Sequence, residues 1–417
     1  MFVELDRNLT DKQKLLKETV HEFAKGVIRP AAVAIDQMTD PKEIIKKGSV
    51  FWDAKKKARE AGYHIAGLPK ALGGFEAGPL EFHILLEEFG WGSPGLGLSI
   101  LTDSFPATAV LMYQSENKRL INDIVIPLVK DLDVKTGACW AITEPDHGSD
   151  VAFCFTRHFP DPKLAFNTRA VLQGDEWVIN GQKSGWISNG PVATQALTWL
   201  TIFDSKGMVG GGIAIIPLDL PGVTRGKPTE LIGMQDFPQC EIFFNDVRIP
   251  KDYMLIGPEL YENAFAQFLN MTGLAVGTVF TGLARAAFEE ALAYSKRRVQ
   301  GGKTIAEHQI IRLKLFDMFT KIEAARALSR AVAKYCLTAA DTIPVEYSTV
   351  AKVYCSQVAF EVANDAVQIH GAYGYTKDAL VGKLLRDARV ACIMDGCNEV
   401  ISLKDSYRLL EKYNPLE

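Results

Sequence analysis

The most informative stretch of the sequence runs from Trp140 to Asp150 and reads WAITEPDHGSD. Its apolar beginning is typical of the end of a strand, and the proline, aspartates and glycine that follow predict a sharp polar turn. A turn of this composition leaves backbone N–H groups and hydroxyls open to a ligand. A plain connecting loop is the alternative interpretation.

A second stretch, Gly181–Gly190, reads GQKSGWISNG and places Trp186 and Ser188 two residues apart, hence on one face of a strand. A flat aromatic ring beside a hydroxyl suits a planar ligand, although core packing also explains such a pair. Just before it, Trp177-Val178-Ile179 leads into Asn180-Gly181, the dipeptide most typical of a two-residue hairpin turn. We therefore predict a β-hairpin whose turn is Asn180-Gly181.

The residues before this region predict helices. Thr10 and Gln13 are spaced as a capping box, and the apolar residues that follow recur at helical spacing until Pro30, where we expect the helix to end. After Pro258 the pattern is helical again, because 308–340 and 345–370 contain neither glycine nor proline.

Between the helical parts the sequence from about 137 to 250 contains short strand-like runs separated by turn residues, and we interpret the glycine-rich run 207–212 as a turn. The sequence thus predicts an α+β protein with three domains: an N-terminal helical domain (1–135), a middle β-domain (136–252) and a C-terminal helical domain (253–417).

Composition excludes several functional classes. The 417 residues include 46 Lys and Arg against 50 Asp and Glu, a net charge of −4 that does not favour a nucleic-acid partner or an anionic membrane. The apolar stretch 273–284 is too short to span a bilayer, and Met1–Asp6 lacks the pattern of a signal peptide. Seven cysteines without a Cys-x-x-Cys predict reduced thiols and a cytoplasmic protein. The sequence shows no metal-binding spacing of His and Cys, no P-loop and no Rossmann glycine motif.

The C-terminal part carries a third group of motifs: Gln368–Tyr375 (QIHGAYGY), Leu385–Arg389 (LRDAR) and Met394–Glu399 (MDGCNE). Asp395 follows two apolar residues, so its carboxyl is a candidate for partial burial. Burial raises the pKa of a carboxyl and improves it as a general base. An ordinary helix cap is the alternative.

Taken together and in this order, these motifs resemble the acyl-CoA dehydrogenase family over essentially the whole chain. The resemblance implies a helical N-terminal domain, a middle β-barrel-like domain and a C-terminal four-helix bundle. It also implies an acyl-CoA substrate, an FAD cofactor, a homotetramer built as a dimer of dimers, and an electron-transfer flavoprotein as the oxidant.

The resemblance also assigns site residues. Contacts with the flavin ring are implied for Trp140, Ile142, Thr143, Ser149, Trp186 and Ser188, with Cys397 and Glu399 as further cofactor residues. Contacts with the pyrophosphate and adenosine of a neighbouring subunit's FAD are implied for Arg298, Gln309, Gln368, Gly371 and Ala372. These types suit the task, because Arg pairs with phosphate and glycine permits close approach.

In the family, a base removes the proton alpha to a thioester carbonyl while a hydride leaves the beta carbon for flavin N5. The base is usually a Glu before a Gly, and here this position holds Asp395, whose arm is about 1.5 Å shorter. Three other departures are Gly273 at a usual Arg, Gly301 at a usual Phe, and one extra residue before Trp186, either Ser184 or Gly185.

Asp103 is a candidate second base for cyclic or conjugated substrates, since it falls where the family places the loop around the acyl group; a helix cap for the helix near Pro106 is the alternative. Two other functions stay open. One is a flavin oxidase of the nitroalkane oxidase type, which also uses Asp at position 395 but pairs it with an Arg where this chain has Ser402. The other is a catalytically silent relative that serves in assembly or electron transfer.

Overall fold

The computed structural model describes residues 8–338 and 345–412, so the sequence interpretations of Met1–Asp6 and of Ala339–Ala340 fall outside it. Helices precede and follow a central sheet, as predicted. The helices are α1 Asp11–Phe23, α2 Arg29–Asp36, α3 Pro41–Ile45, α4 Val50–Glu60, α5 Pro79–Gly92, α6 Pro94–Thr102, α7 Phe105–Tyr113, α8 Lys118–Leu120, α9 Ile126–Lys130, α10 Pro258–Arg297, α11 Gln309–Thr338, α12 Val345–His370, α13 Leu380–Ala391 and α14 Asn398–Lys412. The strands are β1 Ala138–Ala141, β2 Arg169–Gln173, β3 Glu176–Ser188, β4 Gln195–Asp204, β5 Gly207–Pro217, β6 Val223–Arg225, β7 Gln239–Pro250, β8 Met254–Ile256, β9 Val299–Gln300 and β10 Lys303–Thr304.

The first helix begins as predicted and ends later than predicted. Thr10 and Gln13 form the capping box, with each backbone N–H bonded to the other side chain. The helix does not stop at Pro30, however, because a π-helical turn at Ala24–Ile28 joins α1 to α2. Pro30 therefore occupies the first turn of α2, directly after the wider turn changes the hydrogen-bond register, and a proline is tolerated there.

In the described chain the central domain is an eight-stranded sheet with the order β6-β7-β3-β1-β4-β5-β8, and β2 pairs with β3 and β4. β1 and β2 thus fill the same slot between β3 and β4, one after the other. β1 pairs with the beginning of β4, from Gln195, and β2 pairs with its end, up to Phe203. The segment 142–168 leaves the sheet where β1 ends and returns where β2 begins.

The predicted hairpin at Asn180-Gly181 is wrong. β3 runs straight through this dipeptide, and the hairpin turn is Gly174-Asp175, between β2 and β3. Gly181 is needed for a close approach instead, since a Cβ there would lie 2.5 Å from the Cα of Thr168, and the pairing with β7 shifts register at this point. The side-chain amide of Asn180 donates from Nδ2 to Asp246 Oδ1 at 3.0 Å. The Oδ1 of Asn180 accepts a hydrogen bond of 2.8 Å from the backbone N–H of Asp246 on the neighbouring strand.

The predicted turn at 207–212 is also wrong, because these glycines form the first half of β5. A Cβ on Gly211 would lie 2.2 Å from a ring carbon of Tyr261 on α10. The glycines therefore let the ring of Tyr261 pack directly against the strand.

The C-terminal helices α10–α13 pack side by side, and α5 of the N-terminal part packs against α10. The two long helices predicted from the absence of glycine and proline are α11 and α12, as far as the structure describes them. α10 is long and apolar enough to cross a membrane by composition alone, but 89% of its apolar window is buried inside the protein. It is the core helix of the bundle.

Candidate active site

The site begins at the gap between β1 and β2. Glu144 lies just after β1, and its carboxylate accepts hydrogen bonds from the N–H groups of Asn167 (2.6 Å) and Thr168 (2.9 Å), where the chain re-enters the sheet. Lys183 of β3 completes the arrangement with Nζ 2.8 Å from Glu144 Oε1 and 3.0 Å from the carbonyl of Ile142. Both charged side chains are fully buried.

Burial alone would raise the pKa of Glu144, but the Lys183 ammonium and the bonds from Thr168 outweigh it and hold the pKa below its usual value. Glu144 is therefore a structural carboxylate that closes the sheet beneath the loop. No role for this pair is predicted from the sequence, because both residues lie in polar, glycine-containing stretches whose burial arises only from the way the loop and β3 pack together.

Several residues predicted to contact the flavin ring lie around this gap. Trp140 of β1 stands opposite Ser188 of β3, and its ring packs 4.2 Å from that of Trp199 and 5.3 Å from that of Phe105, measured between centroids. The carbonyl of Thr143 accepts a hydrogen bond of 3.0 Å from the N–H of Ser184.

The predicted extra residue falls in a β-bulge. The pairing of β3 with β7 shifts register between Lys183 and Ile187, so three residues of β3 stand opposite Glu241 alone. Bulges redirect side chains, and here Trp186 is 59% exposed, an unusual position for so large an apolar group. The Oγ of Ser184 is buried and has no hydrogen-bond partner among the described residues.

Asp395 lies in the turn between α13 and α14. Asp395 and Gly396 both adopt left-handed backbone conformations, with φ of +53° and +90°. The next residue, Cys397, donates its N–H to Ser149 Oγ at 2.9 Å, which joins this turn to the WAITEPDHGSD loop. α14 begins only at Asn398, so Asp395 is not in its cap position.

The carboxyl of Asp395 is surrounded by groups from two helices of the bundle. Burial raises its pKa above the ordinary value, and Lys352 of α12 and the Thr272 hydroxyl of α10 oppose that rise. Sequence reasoning missed both neighbours; a single lysine in the otherwise apolar run Val350–Cys355 was the available signal for Lys352.

The LRDAR motif fixes the helix that leads to this turn. Arg386 binds Asp36 of α2 through two hydrogen bonds of 2.8 and 2.6 Å. Its neighbour Asp387 accepts a bond of 2.6 Å from the N–H of Met234 and pairs with Lys383. α13 is thereby attached to the N-terminal helices and to the central domain at once.

The residues predicted to contact pyrophosphate and adenosine form a second, separate group. They lie at one end of the bundle, where the rings of Tyr294 and His370 stack at 4.1 Å, and all are exposed: Arg298, Gln309, Gln368, Gly371 and Ala372. Along α10, Thr272 beside Asp395 and Arg298 are about 39 Å apart at 1.5 Å per residue. The two groups within one chain are too far apart to hold one dinucleotide. Glu399 is exposed in the first turn of α14.

Gly301, one of the departures from the family pattern, has a local explanation. Gly301-Gly302 joins β9 to β10, and both residues have positive φ, +61° and +77°. Two consecutive positive φ values favour glycine strongly in a two-residue hairpin turn.

Asp103 does not cap α7, and its carboxylate is held by cations from α4. Its carboxylate is buried and lies 3.0 Å from Lys55 Nζ and 2.9 Å from Arg59 Nη2. Arg59 also binds Asp131 at 2.7 Å. The residue that precedes α7 at the cap position is Ser104. Since both oxygens of Asp103 are engaged by cations, this geometry favours a structural role over a second base.

Three family models match the chain in sequence order: the N-terminal domain of acyl-CoA dehydrogenase over residues 10–119, the middle domain over 139–247 and the C-terminal domain over 263–405. The chain belongs to the acyl-CoA dehydrogenase family. It is accordingly an oxidoreductase of the group that acts on CH–CH bonds.

Curated relatives span nearly the whole protein. A short-chain specific acyl-CoA dehydrogenase of Clostridium acetobutylicum is 32% identical over 405 residues, covering 96% of this chain and 98% of the relative. A cyclohex-1-ene-1-carbonyl-CoA dehydrogenase of Syntrophus aciditrophicus is 31% identical over 407 residues, covering 96% and 91%. Among solved structures, a chain described as an electron transferring flavoprotein of Acidaminococcus fermentans superposes with a TM-score of 0.85 at 29% identity, covering 98% of this chain and 100% of the other.

Acyl-CoA dehydrogenases are FAD flavoproteins, and the residues around the β1–β2 gap suit such a ring system. The exposed indole of Trp186 provides a flat face, and the buried Ser184 hydroxyl without a partner provides a hydrogen-bonding group. The residues present therefore fit the cofactor.

Proposed function

We propose that this protein is an FAD-dependent acyl-CoA dehydrogenase in which Asp395 removes the α-proton of the thioester. The observation that supports this most directly is the hydrogen bond between Cys397 N–H and Ser149 Oγ, which places the turn of Asp395 against the predicted flavin loop. A base at this junction stands beside the residues that would hold the oxidant.

The surroundings of Asp395 suit a general base. Because burial raises its pKa, the carboxylate binds a proton more strongly than an exposed Asp does. Among the described residues, no hydrogen bond leaves the N–H groups of Asp395 and Gly396. We propose that these N–H groups bind the thioester carbonyl and stabilise the negative charge that develops on its oxygen.

Bound FAD would supply the acceptor for the hydride from the beta carbon. Within this chain, the residues that would hold its ring are the first group predicted above: Trp140, Ile142, Thr143, Ser149, Trp186 and Ser188, with Cys397 and Glu399. A neighbouring copy's dinucleotide would bind the second group at the far end of the bundle.

This proposed division of the cofactor site calls for more than one copy of the chain, and we propose a homotetramer. The separation of about 39 Å along α10 supports sharing between copies. In addition, α11 exposes an apolar row next to the second group, with Ile310, Leu313 and Phe316 each about 70% exposed. Apolar rows of this kind mark protein contacts.

For the electron acceptor we propose an electron-transfer flavoprotein, supported by a 28% identical relative of Acetobacterium woodii that is described as a subunit of a caffeyl-CoA reductase–Etf complex. For the compartment we propose the cytoplasm. None of the seven cysteines, all within the described residues, forms a disulfide, as is usual in reducing compartments.

The substrate class is best tested directly. Purified holoenzyme is mixed anaerobically with straight, branched, cyclic and dicarboxylic acyl-CoA esters, and the loss of flavin absorbance is followed. At least one ester should reduce the flavin, and cyclic esters belong in the panel because a 31% identical relative acts on one.

With that ester, Asp395→Asn should slow flavin reduction by at least about 100-fold, the low end for removal of a general base. Asp252→Asn, a change of an exposed Asp, is the matched control and should reduce flavin at the wild-type rate. Unchanged reduction by Asp395→Asn would refute the assignment of the base. Failure of every ester, combined with oxygen consumption on a nitroalkane, would favour a flavin oxidase instead.

A further inference from the structure

Lys352 is a fully buried lysine directly behind the turn that carries Asp395. Its ammonium donates to the carbonyl of Gly396 at 2.7 Å and to Asn398 Oδ1 at 2.8 Å. The amide of Asn398 in turn donates to Ser356 Oγ, one helical turn along α12, at 3.0 Å. α12 thus holds the chain on both sides of Cys397.

The left-handed conformation of the turn at Asp395-Gly396 has to be stabilised by its surroundings. Asp395 has a positive φ, which is uncommon outside glycine and persists where the surroundings impose it. The bond from Lys352 reaches the peptide carbonyl immediately after the two left-handed residues. On the other side, the bond from Cys397 N–H to Ser149 fixes the same turn to the predicted flavin loop.

The titratable groups that face Lys352 come from the turn between α13 and α14 and from α14 itself. The carboxyl of Asp395 and the thiols of Cys392 and Cys397 face it from the turn, and Glu399 faces it from α14. Burial lowers the pKa of Lys352 to about 8, and these groups oppose the fall. At neutral pH the ammonium is therefore still mostly charged and favours the ionised form of Asp395.

On the basis of the proposed function, we infer that Lys352 is a positioning residue for the base: its bond to the carbonyl of Gly396 fixes the left-handed turn at Asp395-Gly396, and its positive charge favours the ionised form of the Asp395 carboxyl. The fixed position of the turn matters more for Asp than for Glu, since the shorter arm leaves less freedom to correct a displaced backbone.

Two substitutions separate charge from geometry. Lys352→Met removes the charge and the donors, and Lys352→Arg keeps the charge in a different shape. Lys321→Met is the control. Lys321 of α11 pairs at 2.9 Å with Asp317 of its own helix and at 2.9 Å with Glu361 of α12, about 13 Å along α12 from Lys352. The rate of anaerobic flavin reduction by the best ester is measured from about pH 5 to pH 9.

In Lys352→Met the acid limb of the pH–rate profile should move upward by about one pH unit, because an opposite charge nearby has been removed. The plateau rate should fall by about 10- to 100-fold. Lys352→Arg should lower the plateau but keep the acid limb near its wild-type position, and Lys321→Met should change neither. A Lys352→Met protein that loses thermal stability yet keeps the wild-type profile and plateau would overturn the inference. If Lys352→Met does not fold, a wild-type plateau in Lys352→Arg would overturn it.

A second readout does not depend on turnover. The carboxyl of Asp395 is titrated by infrared spectroscopy of holoenzyme labelled with ¹³C-aspartate, and its band is identified by its loss in Asp395→Asn. The midpoint should rise in Lys352→Met and not in Lys321→Met; an unchanged midpoint overturns the inference. If no ester reduces the wild-type flavin, the proposed function fails, while this titration still decides whether Lys352 controls the carboxyl.

Discussion

Lys183→Met should destabilise the central domain strongly, because it leaves Glu144 as a buried carboxylate without its cation. The two side chains are fully buried and 2.8 Å apart. Removing one partner of such a pair costs about 3–5 kcal/mol of unfolding free energy. The N–H groups of Asn167 and Thr168 still bind the carboxylate, so we expect a loss near the lower end, about 3 kcal/mol.

Urea unfolding followed by tryptophan fluorescence measures this loss, since four tryptophans, 140, 177, 186 and 199, lie in the central domain. With a slope of about 2 kcal/mol per molar urea for a domain of this size, the midpoint should fall by about 1.5 M. Bound FAD should also be released at lower urea, because the pair supports the loop that begins at Ile142.

Arg248→Met is the matched control in the same sheet. Arg248 pairs with Glu176 at 3.5 Å, and both side chains are half exposed, so its removal should cost less than about 1 kcal/mol. In the double variant Lys183→Met with Glu144→Gln, part of the lost stability should return, since no buried charge remains. If Lys183→Met lowers the unfolding free energy no more than Arg248→Met does, the buried pair of Lys183 and Glu144 stabilises the domain no more than an exposed pair, and the reasoning is refuted.

Two other predictions concern the buried carboxylate of Asp103 and the exposed apolar row of α11, which we propose as a contact between copies of the chain. Asp103→Asn should lower the unfolding free energy by about 3 kcal/mol, because Lys55 and Arg59 lose their shared carboxylate; a folded variant that fails to reduce flavin only with cyclic esters would instead place Asp103 at the substrate. Leu313→Glu, in the exposed row of α11, should convert the proposed tetramer to smaller species in light scattering and weaken FAD retention, and an unchanged mass would contradict the proposed sharing of the cofactor site.

The order of helical and β-regions along the chain can be predicted from the sequence. The positions of individual turns are predicted less well. Helices α11 and α12 follow directly from stretches without glycine or proline, and the capping box of α1 follows from Thr10 and Gln13. Asn180-Gly181 has the chemistry of a hairpin turn, but the close crossing at Thr168 requires a residue without a Cβ in the middle of β3. Tertiary packing there decides the use of the dipeptide.

In the candidate site, too, a residue within a motif is predicted from the sequence, whereas residues that reach the site through tertiary packing are not. Asp395 is a candidate from its motif and from the resemblance to the family, in which a carboxylate before a glycine acts as the base. Its supporting residues are not, since Lys352 and Thr272 come from helices about 40 and 120 positions earlier and meet the turn only through packing. Asp103 shows the converse: an acid in a suggestive sequence position can be fully engaged by cations from another helix.

The shorter arm of Asp395 has a consequence for the substrate. The turn is attached at two places, to α12 through Lys352 and to the predicted flavin loop through Ser149, and α13, which leads to the turn, is attached to α2 through Arg386. A turn held in this way has little room to advance by the roughly 1.5 Å that the missing methylene represents. Across from it, Gly273 leaves α10 without a side chain, although a Cβ there would make only ordinary contacts, 3.6 Å from Ser348. For Asp395 to act as the base, the α-carbon of the acyl group has to lie closer to the turn, and the panel of straight, branched, cyclic and dicarboxylic esters tests which acyl groups meet that requirement.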